Sequence, residues 1–431
     1  MSQGKRGESR SSEIAVPLEA MTYGGEAIGR VDGKIIFVQG GIAGERVRAA
    51  VTDDRRRFAR ARVVEVIDAS PHRVRPRCPH FGFDPTSCGG CQWQHIDTAA
   101  QMRFKADIVR EQLERIGRIE RASVRETIPS PDAWAYRNHA RFGVTAEGQA
   151  GFQAARSNRI VPIGECHIVR PPIAEWLRAS RQAHSGADWI DVRTSGDGDV
   201  TVWEGRLASN LQPFGCAHAL SAAARRGRAR RGRPPSSSYL IKGAAFQVSA
   251  ASFFQVNTSL IETLVDLVLG GIRLSGGETV LDAYCGVGLF SRFLAPIAGR
   301  VIGIESSASA VADARENLSM FDNVELREGL VESALPGVGD RLDAVVVDPP
   351  RAGCAPKVIE AIIRRQVKRL VYVSCDPSTL ARDARRLIDG GYELIDVQPL
   401  DMFPHTYHIE CVARFERAGD APTAGSGYTR A

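Results

Sequence analysis

No run of about 18 apolar residues occurs in the chain, so no segment reads as a membrane-spanning helix. The leader from Met1 to Ser12 is polar and lacks the hydrophobic stretch of an export signal, so a cytoplasmic location and no membrane partner are expected. No triple-glycine dinucleotide fingerprint is present, which weighs against a nicotinamide cofactor. Net charge is only +6 over 431 residues, too little for composition alone to imply nucleic-acid binding. There are nine cysteines, but a reducing compartment disfavours structural disulfides and leaves them for ligation, catalysis or packing.

What is present suggests two or three domains, each able to bury a core, with 43% apolar residues as in soluble globular chains. From Ile14 to Asp68 apolar and polar residues alternate between glycine turns, which describes a small antiparallel barrel over 13–69. Residues 70–243 form a central α+β region holding Cys78, Cys88, Cys91 and Cys166, with a helix expected from Thr98 to Ile116. Strands and helices then alternate over 244–418, the pattern of an α/β, doubly wound, largely parallel sheet. Residues 419–431 read as a disordered tail. Two basic runs, Arg55 to Arg62 and Arg225 to Arg233, would release counterions from a phosphate backbone, although such runs also occur simply as solvated surface. Cys216, Cys285, Cys354 and Cys411 read as small buried hydrophobes.

Chemistry concentrates in the last region. Glu278 to Gly288 is a buried strand running into a glycine turn, which lets a ligand approach the backbone. Val301 to Glu305 is the next strand, and its terminal acid can accept both ribose hydroxyl protons; with no dinucleotide fingerprint, this favours S-adenosylmethionine. Gln255 offers an amide from a loop. Asp348 ends a hydrophobic strand stopped by Pro349 and Pro350, and Arg351 stands where amine methyltransferases place an aromatic residue. An arginine and a carboxylate suit the donors and acceptors of uracil and its enolate charge. Cys375 lies between a buried strand and the start of a helix, whose positive end would lower a thiol pKa while Asp376 opposes it. Glu410 follows Phe403-Pro404-His405-Thr406-Tyr407-His408-Ile409 and reads as a carboxylate base, with His405 and His408 shaping residues; a histidine base is the alternative.

Together these strings resemble the RNA uracil-5 methyltransferase family from about Ile14 to Phe415, and the N-terminal strands resemble its TRAM barrel, an oligonucleotide-binding module. The resemblance implies Cys375 as nucleophile, Glu410 as base, and Gln255, Tyr284, Glu305 and Asp348 around S-adenosylmethionine. Leu289 and Gly329-Leu330 depart from the branch best known, which often has an asparagine and a polar contact there. Four cysteine thiolates suit tetrahedral zinc or an iron–sulfur cluster, and spacing does not separate the two. The resemblance favours a 4Fe–4S cluster on Cys78, Cys88, Cys91 and Cys166, with a longer gap from Cys78 to Cys88 than is usual. The barrel and cysteines resemble the branch acting on 23S ribosomal RNA; transfer RNA is the alternative substrate, and a monomer is expected. A cytosine-5 methyltransferase would use the same thiol addition, but a Pro-Cys string is typical there, against Ser374-Cys375 here. An inactive RNA-binding assembly factor is the remaining rival.

Overall fold

The computed structural model describes residues 12–180, 184, 186–205, 235–339 and 341–419. The basic run from Arg225 to Arg233, Cys216 and all but the first residue of the expected tail lie outside the described residues. The chain forms two compact units, Met1–Phe104 with Gly151–Ile163 and His405–His408, and Lys105–Ala150 with Gly164–Pro404 and Ile409–Ala431.

In the first unit, β1 (Glu13–Met21), β2 (Ala27–Val31), β3 (Lys34–Gln39), β4 (Arg46–Asp54) and β5 (Phe58–Asp68) close into a barrel in the order β1-β2-β3-β5-β4. Alternation puts Val16, Leu18, Ile36, Val38, Val47 and Ala49 inside. Register shifts in β1 and at three points of β4–β5 mark irregularities of the kind that bends long strands around so small a barrel. Only glycine fits at Gly29, where a Cβ would lie 2.1 Å from the Pro17 carbonyl oxygen. Below the barrel the Glu45 carboxylate is buried and accepts from the Ile42 and Ser70 N–H groups (2.9 and 3.2 Å) and from Arg73 (2.6 and 2.7 Å). Of the first basic run, Arg55 to Arg57 are exposed, whereas Arg60 pairs with Glu26 and lies 5.3 Å from the Phe37 ring centre.

Next come α1 (Thr98–Arg115), β6 (His139–Val144), β7 (Ala150–Gln153), β8 (Ile160–Pro162), α2 (Pro171–Ala179), β9 (Trp189–Thr194) and β10 (Val200–Gly205). The helix expected to reach Ile116 ends one residue earlier, at Arg115. β7 and β8 pair antiparallel, and in the second unit β9 lies antiparallel to both β6 and β10. The hairpin of β11 (Ser236–Ile241) and β12 (Ala244–Ser249) leads to α3 (Ile261–Ile272). Its Tyr239 stacks on Phe254 at 4.8 Å within the core of the second unit.

That core lies against a seven-stranded sheet in the order β15-β14-β13-β16-β17-β19-β18. Its elements are β13 (Thr279–Ala283), α4 (Leu289–Leu294), β14 (Arg300–Glu305), α5 (Ala308–Asn317), β15 (Val324–Glu328), α6 (Val331–Ala334), β16 (Ala344–Val347), α7 (Pro356–Arg364), β17 (Arg369–Ser374), α8 (Pro377–Asp389), β18 (Tyr392–Leu400) and β19 (Glu410–Arg417). The pairs among β13 to β17 are parallel and β19 runs antiparallel between β17 and β18. β16 is wholly buried Ala-Val-Val-Val, as a central strand covered on both faces requires. The chain leaves β13 for β14 on one side and returns through β16 on the other, so a crevice opens beyond the carboxyl ends of β13 and β16. α5 holds β12 with buried polar side chains: Asp313 accepts from the Ser249 N–H and hydroxyl (2.9 and 2.6 Å), and the Asn317 amide exchanges bonds with the Gln247 backbone (2.8 and 3.0 Å).

Candidate active site

Strand ends bring the chemistry together. β17 and β19 pair up to Ser374 with Cys411, so the next residue of one strand and the preceding residue of the other, Cys375 and Glu410, come opposite at the sheet's carboxyl edge. On the other side of β17, β16 ends at Val347 and delivers Asp348, whose N–H donates to the Ala283 carbonyl at 3.2 Å. α8 starts right after the cysteine: Pro377 suits the first helical turn, and Asp376 caps it by accepting from the Ser378 and Thr379 N–H groups (2.9 and 3.2 Å).

That cap decides the electrostatics. The helix terminus and Asp376 are expected to act in opposite senses on the thiol; the Asp376 carboxylate caps the helix and adds its own raising effect. Burial first, then the negative charges of Glu410 and Asp348, push the Cys375 thiol up to about 12, with Arg351 acting the other way. Glu410, almost wholly buried, is held well above the usual carboxylate range by burial and by Asp348, and Arg351 again opposes. Asp348 is raised to about 7 by desolvation and by Asp282 and Glu305. Cys375, Glu410 and Asp348 thus share one site, with the Arg351 guanidinium favouring the ionised forms of the first two, and the resting thiol carries its proton.

Around the crevice, Gly286 and Gly288 have φ of +56° and +88°, and Tyr284, a bulky residue, is held at +65°. Burial first, then the Cys354 and Glu332 charges, push the Tyr284 hydroxyl well above its ordinary value. Glu305 ends β14, and its carboxylate already accepts from the Gly286, Ser306 and Ser307 N–H groups (3.1, 2.7 and 2.7 Å), fixing its orientation beside the glycine turn. Gln255 is buried, and its carbonyl accepts from the Asn138 amide at 3.1 Å. Leu330 is 56% exposed just past β15. Cys285, Cys354 and Cys411 are buried, as expected of small hydrophobes.

In the first unit Cys78, Cys88 and Cys91 are partly buried, with the Gly90 N–H 3.4 Å from Cys88 Sγ; Cys166, in the second, is also partly buried. Among the described residues no three His, Cys, Asp or Glu side chains converge where they could hold a metal ion. His405, at φ +64°, is gripped by Gln101, which accepts its N–H at 3.0 Å and meets Nδ1 at 3.3 Å. Its carbonyl accepts from the Gln92 and Trp93 N–H groups (3.0 and 2.9 Å) directly after Cys91.

Sequence reasoning passed over Asp282 and the pair Tyr372–Asp383. Asp282 is fully buried in β13 and raised to about 6 by burial, with Ser291 donating to it. Its signal was an acid inside an otherwise apolar strand. Tyr372 and Asp383 carry no local signal, since only the fold brings them to Cys354.

A seven-stranded sheet with an acid-lined crevice at its switch point defines an S-adenosylmethionine-dependent methyltransferase fold. Family models agree: a methyltransferase domain matches residues 280–372, the TRAM domain 10–64, and tRNA (Uracil-5-)-methyltransferase 340–418. A protein from Edwardsiella ictaluri named 23S rRNA (uracil(1939)-C(5))-methyltransferase RlmD is 33% identical, over 96% of this chain and 98% of that protein. A Streptomyces avermitilis protein, named an uncharacterized RNA methyltransferase, is 36% identical over 94% of this chain and 98% of its own length. The crystal structure of Pyrococcus abyssi tRNA (uracil-54, C5)-methyltransferase with S-adenosyl-L-homocysteine covers 93% of this chain and all of its own at 25% identity and a TM-score of 0.68. The chain belongs to the RNA uracil-5 methyltransferase family.

Proposed function

We propose that the chain methylates carbon 5 of a uridine in 23S ribosomal RNA through a transient bond between Cys375 Sγ and carbon 6. The observation that carries this reading is the juxtaposition of Cys375 and Glu410 across β17 and β19, with Arg351 acting on both. Bound S-adenosylmethionine supplies an electrophilic methyl group; Gln255, Tyr284, Glu305 and Asp348 are the residues proposed to hold it. The thiol proton is released to solvent as sulfur bonds to carbon 6, and the ring electrons pass to the carbonyl oxygen at carbon 4, where Arg351 meets the enolate charge. Carbon 5 then takes the methyl group. Glu410 in its ionised form removes the carbon 5 proton, the ring double bond re-forms, and the carbon–sulfur bond breaks to leave the thiolate; the proton held by Glu410 then passes to the sulfur, restoring the thiol and the ionised carboxylate. The base must leave its stack for sulfur to approach carbon 6, so a flipped uridine in folded RNA is the substrate form.

The relative named for 23S ribosomal RNA supports that substrate, and the Pyrococcus structure named for transfer RNA keeps transfer RNA as the second reading. Mapping 5-methyluridine in both RNAs, from cells with and without the gene, tests the choice: loss from one 23S position is expected, and loss confined to transfer RNA overturns it. A 4Fe–4S cluster on Cys78, Cys88, Cys91 and Cys166 is proposed from the thiolate donor set and the resemblance alone, and no catalytic step passes through it. Anaerobically purified protein should contain iron and acid-labile sulfide and absorb at roughly 400 nm; a colourless, zinc-loaded protein contradicts it.

A further inference from the structure

We infer that α8 clamps the loop carrying Arg351, and that Asp383, its buried carboxylate, is a positioning residue for the reaction at Cys375. After the two prolines the chain reverses at Gly353, at φ +77°, with its N–H donating to the Pro350 carbonyl at 2.8 Å. The loop is bound to α8 and β17 almost residue by residue. Thr379 Oγ1 donates to the Arg351 carbonyl at 3.2 Å and Arg382 Nη2 to the Ala352 carbonyl at 2.9 Å. The Cys354 N–H donates to Asp383 Oδ2 at 2.9 Å and lies 3.3 Å from the Tyr372 hydroxyl, which itself donates to the same Oδ2 at 2.9 Å. Arg382 and Arg386 complete the surroundings of Asp383 at 2.9 and 3.3 Å. The packing leaves no space: a Cβ on Gly353 would lie 2.5 Å from Arg382 Nη2 and 2.6 Å from Asp383 Oδ2.

The clamp matters because α8 is also the helix that starts directly after Cys375. The thiol and the Arg351 loop are therefore fixed to one rigid element, and Asp383 keeps the guanidinium where its charge favours the anionic forms of Cys375 and Glu410. Asp383 does not touch a reacting atom. A hub of this kind tolerates substitution poorly, since its carboxylate has no exposed surface and five hydrogen bonds and ion pairs meet there.

The inference rests on reading Cys375 as the nucleophile, but it can be tested without turnover. Alkylation rate follows the thiolate fraction, so iodoacetamide labelling of Cys375, read by peptide mass spectrometry between about pH 7.5 and 10, reports how well Arg351 is placed. Full-length Asp383→Asn should label about three- to tenfold more slowly at each pH, the effect of raising the thiol pKa by roughly half to one unit. Arg351→Gln should slow labelling at least as much, and the double variant no more than Arg351→Gln alone, because the first residue acts through the second. An unchanged or faster rate in Asp383→Asn, or additive slowing in the double variant, overturns the inference. Should Asp383→Asn fail to fold, Tyr372→Phe removes one partner of the same carboxylate, and about twofold slower labelling is expected with unlabelled-state secondary structure intact; wild-type labelling there overturns it. Methyl transfer surviving Cys375→Ala would sink the catalytic reading while leaving these rates as they are.

Discussion

Replacing Asp282 with asparagine separates the cost of burying a charge from everything else at the crevice. The carboxylate has no exposed surface; Oδ2 accepts from the Ser291 N–H (2.9 Å) and hydroxyl (2.6 Å), and Oδ1 has no hydrogen-bond partner among the described residues. Burial, reinforced by the Glu305 charge, raises its pKa from 3.8 to about 6. The folded protein therefore holds this proton more tightly than the unfolded chain. Its contribution to stability is complete below about pH 4 and is lost as pH rises through about 6. A rise of about two pH units corresponds to about 3 kcal/mol, at roughly 1.4 kcal/mol per unit. Asparagine cannot ionise, so the variant lacks this dependence. The wild-type advantage over Asp282→Asn should thus be about 2.5 kcal/mol larger at pH 4, where the unfolded carboxyl is already partly ionised, than at pH 7.5, and taking the difference cancels any pH-independent change in the Ser291 bonds. Hydrogen-exchange protection of the β13 amides at both pH values measures the stability of this sheet separately from the barrel. A wild-type advantage that is the same at both pH values would refute the reasoning.

The proposed role of Glu410 as base requires its ionised form, and its pKa is raised, so the pH–rate profile should rise through a midpoint above the ordinary carboxylate range; Asp348→Asn, by removing a like charge, should move that midpoint down by about half to one pH unit, and an upward move contradicts the assignment. Glu45→Ala should destabilise the barrel by about 3 kcal/mol, since it leaves Arg73 and two buried N–H groups without their acceptor; barrel amides that exchange as in the wild type would count against this. In the second unit the buried pair Lys105–Asp401, at 2.5 Å, stands before the Phe403 string, and Lys105→Met should lower stability by about 3 kcal/mol, with most of it regained when Asp401 is also made apolar. Urea titration of the three proteins decides that.

Much of this architecture was legible because its determinants are local. Period-two alternation and glycine turns foretold the barrel, whereas the parallel pairing of β3 with β5 that helps close it did not appear in any single string. The apolar run stopped at Asp348-Pro349-Pro350 and the Asp376-Pro377 helix start both lie where sequence placed them, since a proline stop and a cap act within a turn. The thiol's pKa direction was out of reach, because it depends on Asp348 and Glu410, delivered by neighbouring strands, and on burial that no neighbour in sequence reveals. For the same reason Cys354, Tyr372 and Asp383, scattered over one loop, one strand and one helix, gave no hint of a shared network.

The central claim is that Cys375 bonds to the pyrimidine and Glu410 releases it. Glu410→Gln protein, incubated with S-adenosylmethionine and a 23S ribosomal RNA fragment, then denatured, digested and analysed by mass spectrometry, measures this directly. A peptide containing Cys375 linked to a methylated uridine nucleotide is the predicted result; an absence of any adduct, or one attached to another residue, would contradict it.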